Sequence, residues 1–284
     1  MNVMKRKKLL KNFQKRHPQS KQASDYIQRL QADRTAFNHY PEVKFLLNHA
    51  LMADHLLQTG HLPQDIPNLT LPEDIQDHLY ESVNARFALG DPAGDREWDR
   101  ISNLLPQVDK DLRSFRDYLE ERYGMWAYIS SSFTHQLARY LDGKPALEVM
   151  AGNGYITKGL REQQASVIGT DSLAWQAENE TGNHQVTPIE KLSALDAYHK
   201  YKDQVDYIIM SWSPDGDPVD AELLDAIRKD GHPVQLIVIG EKEGATNSPA
   251  FWNHAELVSD PGIDKLNQYL PNFDLINDRV YLVK

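Results

Sequence analysis

The chain of 284 residues contains no cysteine. That absence excludes disulfide bonds, thiolate metal sites, iron–sulfur clusters and a cysteine nucleophile. No apolar run approaches the length of a membrane-spanning helix, so no membrane partner is predicted. The first residues are basic, but they lack the long apolar core and the small-residue cleavage site of a secretory signal. A cytoplasmic protein is therefore the expectation, and the lack of cysteine agrees with it.

Several catalytic motifs are also missing. The sequence has no H-E-x-x-H zinc helix, no G-x-S-x-G nucleophile turn and no G-x-x-x-x-G-K-[ST] phosphate loop. His49 and His55 are six residues apart, about 240° around a predicted helix, so they cannot share a metal ion as histidines four residues apart do. No metal site is predicted.

Positive charge is scarce. The chain has 41 Asp and Glu against 31 Lys and Arg, a net charge of −10. This balance repels nucleic acid on average, so any nucleic-acid contact must come from a local patch. Residues 1–22 form such a patch, with eight Lys or Arg and no acid. This basic tail could bind RNA, an acidic partner or the chain's own acidic body, or it could simply solubilise the protein.

Residues 23–125 have the pattern of a helical region. Apolar residues from Val43 to Leu57 recur at helical spacing before Gly60, and a second such series ends before Gly124. Another helix is predicted near 72–88, and the Gly, Pro and Asp content of residues 89–95 predicts a loop.

The pattern changes in residues 126–284, where short apolar runs alternate with helical stretches. Their length and β-branched content favour buried parallel strands, and the alternation predicts an α/β fold with a doubly wound, mostly parallel sheet. The predicted strands are 146–150, 166–171, 205–212 and 234–240. The predicted helices lie near 154–164, 189–202, 217–229 and 249–258. The tail, 273–284, is expected to form a two-stranded hairpin around Asn277–Asp278.

A glycine turn follows the first predicted strand. Gly152 and Gly154 let a ligand approach the backbone closely at the start of the next helix. Asp171 ends the second predicted strand, where an acid can accept hydrogen bonds from both hydroxyls of a ribose. This order of elements predicts a nucleoside cofactor at the carboxyl ends of neighbouring parallel strands.

Two features argue against a dinucleotide. The G-x-G-x-x-G fingerprint needs a third glycine where Thr157 stands, and Gly159 comes two residues late. Glu148 would also bring negative charge close to a pyrophosphate. An acid suits S-adenosylmethionine better, because that molecule carries a sulfonium and an amino group and no phosphate.

Residues 145–171 resemble the first two motifs of class I S-adenosylmethionine-dependent methyltransferases, in which an acid precedes a glycine-rich turn. Met150 departs from the pattern, which has glycine at that position. The resemblance covers about residues 123–284 and implies a seven-stranded Rossmann-like sheet that binds S-adenosylmethionine. The implied cofactor-binding residues are Trp126, Glu148, Ala151, Gly152, Asn153, Gly154, Tyr155, Asp171, Ser172, Glu190, Ser211 and Trp212.

The resemblance implies methyl transfer to an acceptor that the sequence does not identify. The segment S-W-S-P at 211–214 lacks the Asn or Asp and the two prolines of amino-methylating members, which argues against an adenine methylase. A non-catalytic relative that keeps the fold for binding or scaffolding is the alternative, and a nicotinamide-dependent oxidoreductase is a more distant one. Catalytic residues are not predicted, because methyl transfer depends mainly on alignment of the reactants and exclusion of water.

Overall fold

The computed structural model describes residues 19–284, with side chains from Asp25 onward. The side chains of the predicted basic tail, residues 1–22, lie outside the described part of the chain. The described chain divides into two compact units. The residues up to Leu51 form the first unit together with Leu71–Arg122, and Met52–Thr70 forms the second with Tyr123–Lys284.

Helices account for the regular structure described before residue 124, as the apolar spacing predicts. They are α1 (Gln19–Ala36), α2 (Pro41–Gln58), α3 (Ile75–Asn84), α4 (Pro92–Arg113) and α5 (Phe115–Tyr123). The loop predicted at 89–95 is wrong in its second half, because α4 begins there. The Asp91 side chain accepts a hydrogen bond from the Ala93 N–H (2.8 Å), and Pro92 fits the first helical position, where no donor is needed.

The first unit buries the apolar faces of these helices against one another. Leu30 of α1 and Phe37, which directly follows α1, are fully buried, as are Ile101 and Val108 of α4. The rings of Tyr26 and Tyr118 stack with their centres 4.6 Å apart. Ring stacking and apolar burial together hold α1, α4 and α5 in one bundle.

The second unit contains the sheet. Its helices after α5 are α6 (Ser131–Leu141), α7 (Tyr155–Glu162), α8 (Ala194–Tyr201), α9 (Val219–Asp230), α10 (Pro249–His254) and α11 (Pro261–Asn267). Its strands are β1 (Ala146–Val149), β2 (Val167–Asp171), β3 (Glu190–Lys191), β4 (Tyr207–Ser211), β5 (Gln235–Gly240), β6 (Leu257–Val258) and β7 (Arg279–Val283).

The seven strands form one sheet in the order β3-β2-β1-β4-β5-β7-β6. The pairs from β3 to β5 are all parallel, whereas β7 runs antiparallel to both β5 and β6. The strand order reverses between β1 and β4. In sheets of this kind, ligands bind beyond the carboxyl ends of the strands at that reversal. The predicted doubly wound, mostly parallel sheet is confirmed.

Alternate side chains of the central strands enter opposite layers. Leu147, Val149, Ile208 and Met210 pack in one buried cluster with α8, α9 and α10. The intervening side chains face the opposite layer, where Glu148 meets Thr157 of α7. Both faces of the sheet are therefore covered, which explains why its central strands are continuous apolar runs.

Two strands and the tail differ from the sequence prediction. β3 and β6 lie inside segments predicted as helices, and each is two residues long, too short to give a periodic signal. The tail hairpin is wrong, because β7 pairs with β5 and β6 and the residues before it form no strand. Asp278 does not form an exposed turn: its buried carboxylate accepts a hydrogen bond from the indole Nε1 of Trp212 (3.0 Å).

Candidate functional site

The turn after β1 uses backbone conformations that favour glycine. Gly152 has φ +55° and Gly154 has φ +82°, and Met150 also lies in the left-handed region, at φ +56°. A side chain rarely adopts such angles, so the turn is strained at Met150, where the resembled motif has glycine. The turn therefore keeps a backbone conformation that suits glycine although Met150 is larger, and the cost is backbone strain at this residue.

A hydrogen bond links this turn to the end of β2. The Gly152 N–H donates to Oδ2 of Asp171 at 2.8 Å, and the Leu173 N–H donates to Oδ1 at 2.6 Å. Asp171 is only 5% exposed. A carboxylate oxygen can accept more than one hydrogen bond, so each oxygen of Asp171 retains acceptor capacity. The structure thus brings together the glycine turn and the predicted ribose acceptor.

Glu148 lies beneath the turn and is fully buried. Its carboxylate accepts a hydrogen bond from the Thr157 hydroxyl on α7. Burial raises the pKa of Glu148 to about 7, and the negative charge of Asp171 acts in the same direction. The Glu148 carboxyl therefore changes its charge near neutral pH, and its hydrogen-bond partner is Thr157 of the same fold.

Residues 172–188, here called the cover segment, connect β2 to β3 and fold over the turn. The side-chain amide of Asn153 donates to the carbonyl oxygens of Gly124 and Glu180, each at 3.1 Å. Its Oδ1 accepts from the His184 N–H at 3.0 Å. Asn153 is 2% exposed. The predicted site residue Asn153 thus joins the turn to two segments that lie above it.

Trp126 also contacts the cover segment. Its indole Nε1 donates to the Thr181 hydroxyl at 2.8 Å, while the ring remains 44% exposed. Thr181 lies directly over Gly152, since a Cβ added to that glycine would meet the Thr181 methyl at 3.4 Å. The hydroxyl of Tyr155 donates to the carbonyl oxygen of Tyr123 at 2.8 Å. Both aromatic residues therefore belong to the same covered region as the turn.

Buried polar atoms without partners mark the carboxyl ends of β4 and β5. The hydroxyls of Ser211 and Ser213 and both polar atoms of the Asn247 side chain make no hydrogen bond within the described part of the chain. A buried polar group normally has a partner, because losing water without replacement is costly. Such atoms at the reversal of the strand order are suited to ligand binding.

The loop that carries Asn247 is held by Asp220. The buried Asp220 carboxylate accepts from the Ser248 N–H (2.6 Å) and the Ser248 hydroxyl (2.7 Å). The Asn247 N–H donates to the carbonyl oxygen of Ser213 at 2.8 Å. Sequence reasoning missed Asn247 and Ser213, although Ser248 and Pro249, next to Asn247, have the composition of a helix start.

Other predicted residues lie outside this arrangement or have structural partners. The Glu190 carboxylate bonds to Lys200 Nζ and to the Tyr201 hydroxyl, both at 2.5 Å, on the α8 side. Ser172 is exposed, and its hydroxyl accepts a 3.3 Å hydrogen bond from the Ala174 N–H. Trp212, with φ +48°, bonds to Asp278. Ala151 forms part of the turn itself.

Comparisons with known proteins give distant likenesses only. No protein-family model matches the sequence, and no curated protein matches it. The CcbJ methyltransferase from Streptomyces caelestis is 12% identical over 44% of this chain, with a TM-score of 0.26. The match spans 56% of the CcbJ chain.

Two other solved structures match over more of their length. The plantazolicin methyltransferase BpumL, solved in complex with SAH, is 10% identical over 74% of this chain and 99% of its own, with a TM-score of 0.30. The CurJ carbon methyltransferase is 11% identical over 93% and 96%, with a TM-score of 0.33. At these values the likenesses carry no argument about activity, so any function must be argued from this chain's own residues.

In residues 19–284, no helix is long and apolar enough to cross a membrane.

Proposed function

We propose that this chain binds S-adenosylmethionine and transfers its methyl group to an acceptor. The observation that carries the proposal is the hydrogen bond from the Gly152 N–H to Asp171, which joins a glycine turn to an acid at the carboxyl ends of adjacent parallel strands. This is the place where a doubly wound sheet binds a nucleoside.

The residues at this place fit the cofactor in chemical type. Asp171 keeps acceptor capacity for ribose hydroxyls, and Gly152 carries no side chain over the turn. Ser211 supplies a buried hydroxyl that has no partner in the described structure. The buried acid Glu148 lies next to the turn, which disfavours a pyrophosphate and is compatible with a cationic, phosphate-free ligand.

Binding requires the cover segment to move. Asp171 is 5% exposed, and Thr181 lies over Gly152, so a ribose reaches the carboxylate only after residues 172–188 shift. Loops that close over a ligand exclude water from the reacting groups. We infer that the contact of Trp126 with Thr181 and the contacts of Asn153 with Glu180 and His184 hold the closed state.

When bound, S-adenosylmethionine supplies a methyl group on a positively charged sulfur, which is already a good leaving group. The protein then needs to align the acceptor and exclude water. Ser213 and Asn247 offer unpartnered polar atoms beside the cofactor position, where an acceptor group could be held. We propose these two residues as the acceptor side of the site.

The experiment is calorimetric titration of S-adenosylhomocysteine into the full chain and two variants. Asp171→Asn weakens a ribose acceptor, and a lost hydrogen bond to a charged group is worth about 1.5–3 kcal/mol. We therefore expect binding to weaken about tenfold or more. Asp225→Asn, an exposed position on α9, is the control and should bind as the wild type does. Equal affinity of all three proteins, or tighter binding of a nicotinamide dinucleotide, would contradict the proposal.

One observation favours a second candidate, a non-catalytic binding module. Both Asp171 oxygens already accept backbone hydrogen bonds, and Asn153 ties the turn to the cover segment on several atoms. A relative that had lost turnover could keep this closed arrangement. Binding of S-adenosylhomocysteine without conversion of S-adenosylmethionine across broad acceptor pools would select this candidate.

A further inference from the structure

The first unit contains a cationic pocket of about 520 Å³, separate from the site described above. This volume lies in the range of small-ligand sites. The side chains that give it its charge are Arg34, His39, Lys44, Arg86, Glu97 and Arg100. Four permanent cations against one acid leave a net charge of +3 in a chain whose total is −10.

Glu97 fixes two of the arginines side by side. Its carboxylate accepts from Nε (2.8 Å) and Nη2 (3.0 Å) of Arg100 and from Nη2 of Arg86 (3.3 Å). The Tyr40 hydroxyl donates to the same carboxylate at 2.7 Å. These hydrogen bonds, that of Arg100 above all, lower the pKa of Glu97 to about 2, so its charge persists at neutral pH.

The two guanidinium groups are held in place by the fold. Nη1 of Arg100 forms no hydrogen bond within residues 25–284, and the Arg86 guanidinium lies over the Tyr40 ring, 5.4 Å from its centre. Arg100 also caps the end of α1 through the carbonyl oxygen of Ala36, at 2.9 Å. Because both groups are already held in place, a ligand would lose little side-chain entropy in meeting them.

The other two cations are not neutralised by acids. The Arg34 guanidinium makes no ion pair or hydrogen bond among the described residues, and Lys44 Nζ donates to the neutral amide of Asn38 at 2.6 Å. Within the described structure, Glu97 is the only acid that lines this pocket. The excess charge therefore has to be balanced by solvent ions or by a bound anion.

We propose that this pocket binds the phosphate groups of a polyphosphorylated ligand. A guanidinium fork matches two oxygens of a phosphate, and an ammonium adds a point charge. A net charge of +3 exceeds what one carboxylate would balance, so two or more phosphates suit it better. The same chemistry is presented by a small polyphosphate and by the phosphodiester backbone of an RNA.

The test compares two double variants of the full chain. Arg34→Gln/Lys44→Gln removes two positive charges from the pocket, neither of which forms an ion pair with an acidic side chain among the described residues. Lys110→Gln/Arg113→Gln removes the same charge from the same helical unit, in the last turn of α4, about 15 Å or more along the helix from Arg100. Tripolyphosphate and a single-stranded RNA oligonucleotide are titrated into each protein at low ionic strength.

We expect the first double variant to bind about tenfold or more weakly than the wild type, and the second to bind like it. Loss confined to tripolyphosphate supports a small-molecule ligand, and loss confined to the RNA supports a phosphodiester one. Should both variants bind equally, or neither probe bind the wild type, the proposal is overturned. Side-chain NMR of the wild type gives a second reading, since tripolyphosphate should shift the Nε–Hε signals of Arg34 and Arg100 before that of Arg113.

Discussion

The Asn153 side chain donates a 3.1 Å hydrogen bond to the carbonyl oxygen of Glu180, across 27 residues of sequence. Through this bond the glycine turn and the cover segment are connected by one amide, which also accepts from the His184 N–H. Opening the cover therefore requires these bonds to break together.

The first prediction concerns this connection. In Asn153→Ala the His184 N–H loses its side-chain acceptor, so its hydrogen exchange should accelerate by about tenfold or more. The Ala197 N–H, bonded to the Ser193 carbonyl at the start of α8, serves as an internal reference and should keep its rate. Exchange measured by NMR distinguishes the cases. Unchanged protection at His184 would show that Asn153 does not hold the cover segment.

The second prediction is a pH dependence carried by Glu148. Its folded pKa of about 7 lies above the ordinary value of 4.5. The stabilisation that this carboxyl contributes is therefore complete below pH 4.5 and is lost as pH rises through 7. Glu148→Gln removes the titration, so relative to wild type the variant should gain about 2–3 kcal/mol between pH 4.5 and pH 8.

Urea unfolding of both proteins at the two pH values checks this. Glu256→Gln, at an exposed position, is the matched control and should show a pH-independent difference from wild type. If Glu148→Gln behaved in the same way, its carboxyl would not titrate in this range.

The third prediction compares Ser213, in the loop after β4, with Ser248, in the loop after β5. Ser213 has a buried hydroxyl without a partner in the described structure, so Ser213→Ala should stabilise the protein by up to about 1 kcal/mol. Ser248 bonds to Asp220 and accepts from the Phe251 N–H as the cap of α10. Ser248→Ala should therefore destabilise it by about 1–2 kcal/mol. Chemical denaturation gives both values, and equal losses would mean that a solvent molecule or another group satisfies Ser213.

The sequence predicts best where burial leaves a continuous apolar run. β1, β2, β4 and β5 are such runs because helices cover both faces of the sheet. β3 and β6 are short edge strands without such a run, and tertiary pairing alone defines them. The hairpin predicted for the tail was wrong for a different reason. Asn277–Asp278 has the composition of a turn, but the Asp278 carboxylate accepts a hydrogen bond from the indole of Trp212, which is distant in sequence.

The candidate site shows the same division. Gly152 and Asp171 were predicted because glycine and a strand-ending acid have meaning in the sequence itself, and the structure joins them by a hydrogen bond. Asn247 carried no such signal. Its importance comes from burial without partners and from a positive φ of +62°, and neither property can be read from a single asparagine in a loop. The role of the cover segment could not be predicted from the sequence either, because it depends on contacts with Asn153.

The division of the chain into two units has a consequence for synthesis on the ribosome. Met52–Thr70 belongs to the second unit although Leu71–Arg122 separates it from the remainder. Its bonds connect the Asp54 carboxylate to the Tyr123 hydroxyl (2.6 Å) and the Leu69 N–H to the Phe273 carbonyl (2.8 Å). During synthesis, Met52–Thr70 can therefore pack into its unit only after the residues that follow Leu71–Arg122 have been made. The second unit therefore cannot be released as one continuous fragment without Leu71–Arg122, and a fragment that begins at Tyr123 lacks Met52–Thr70.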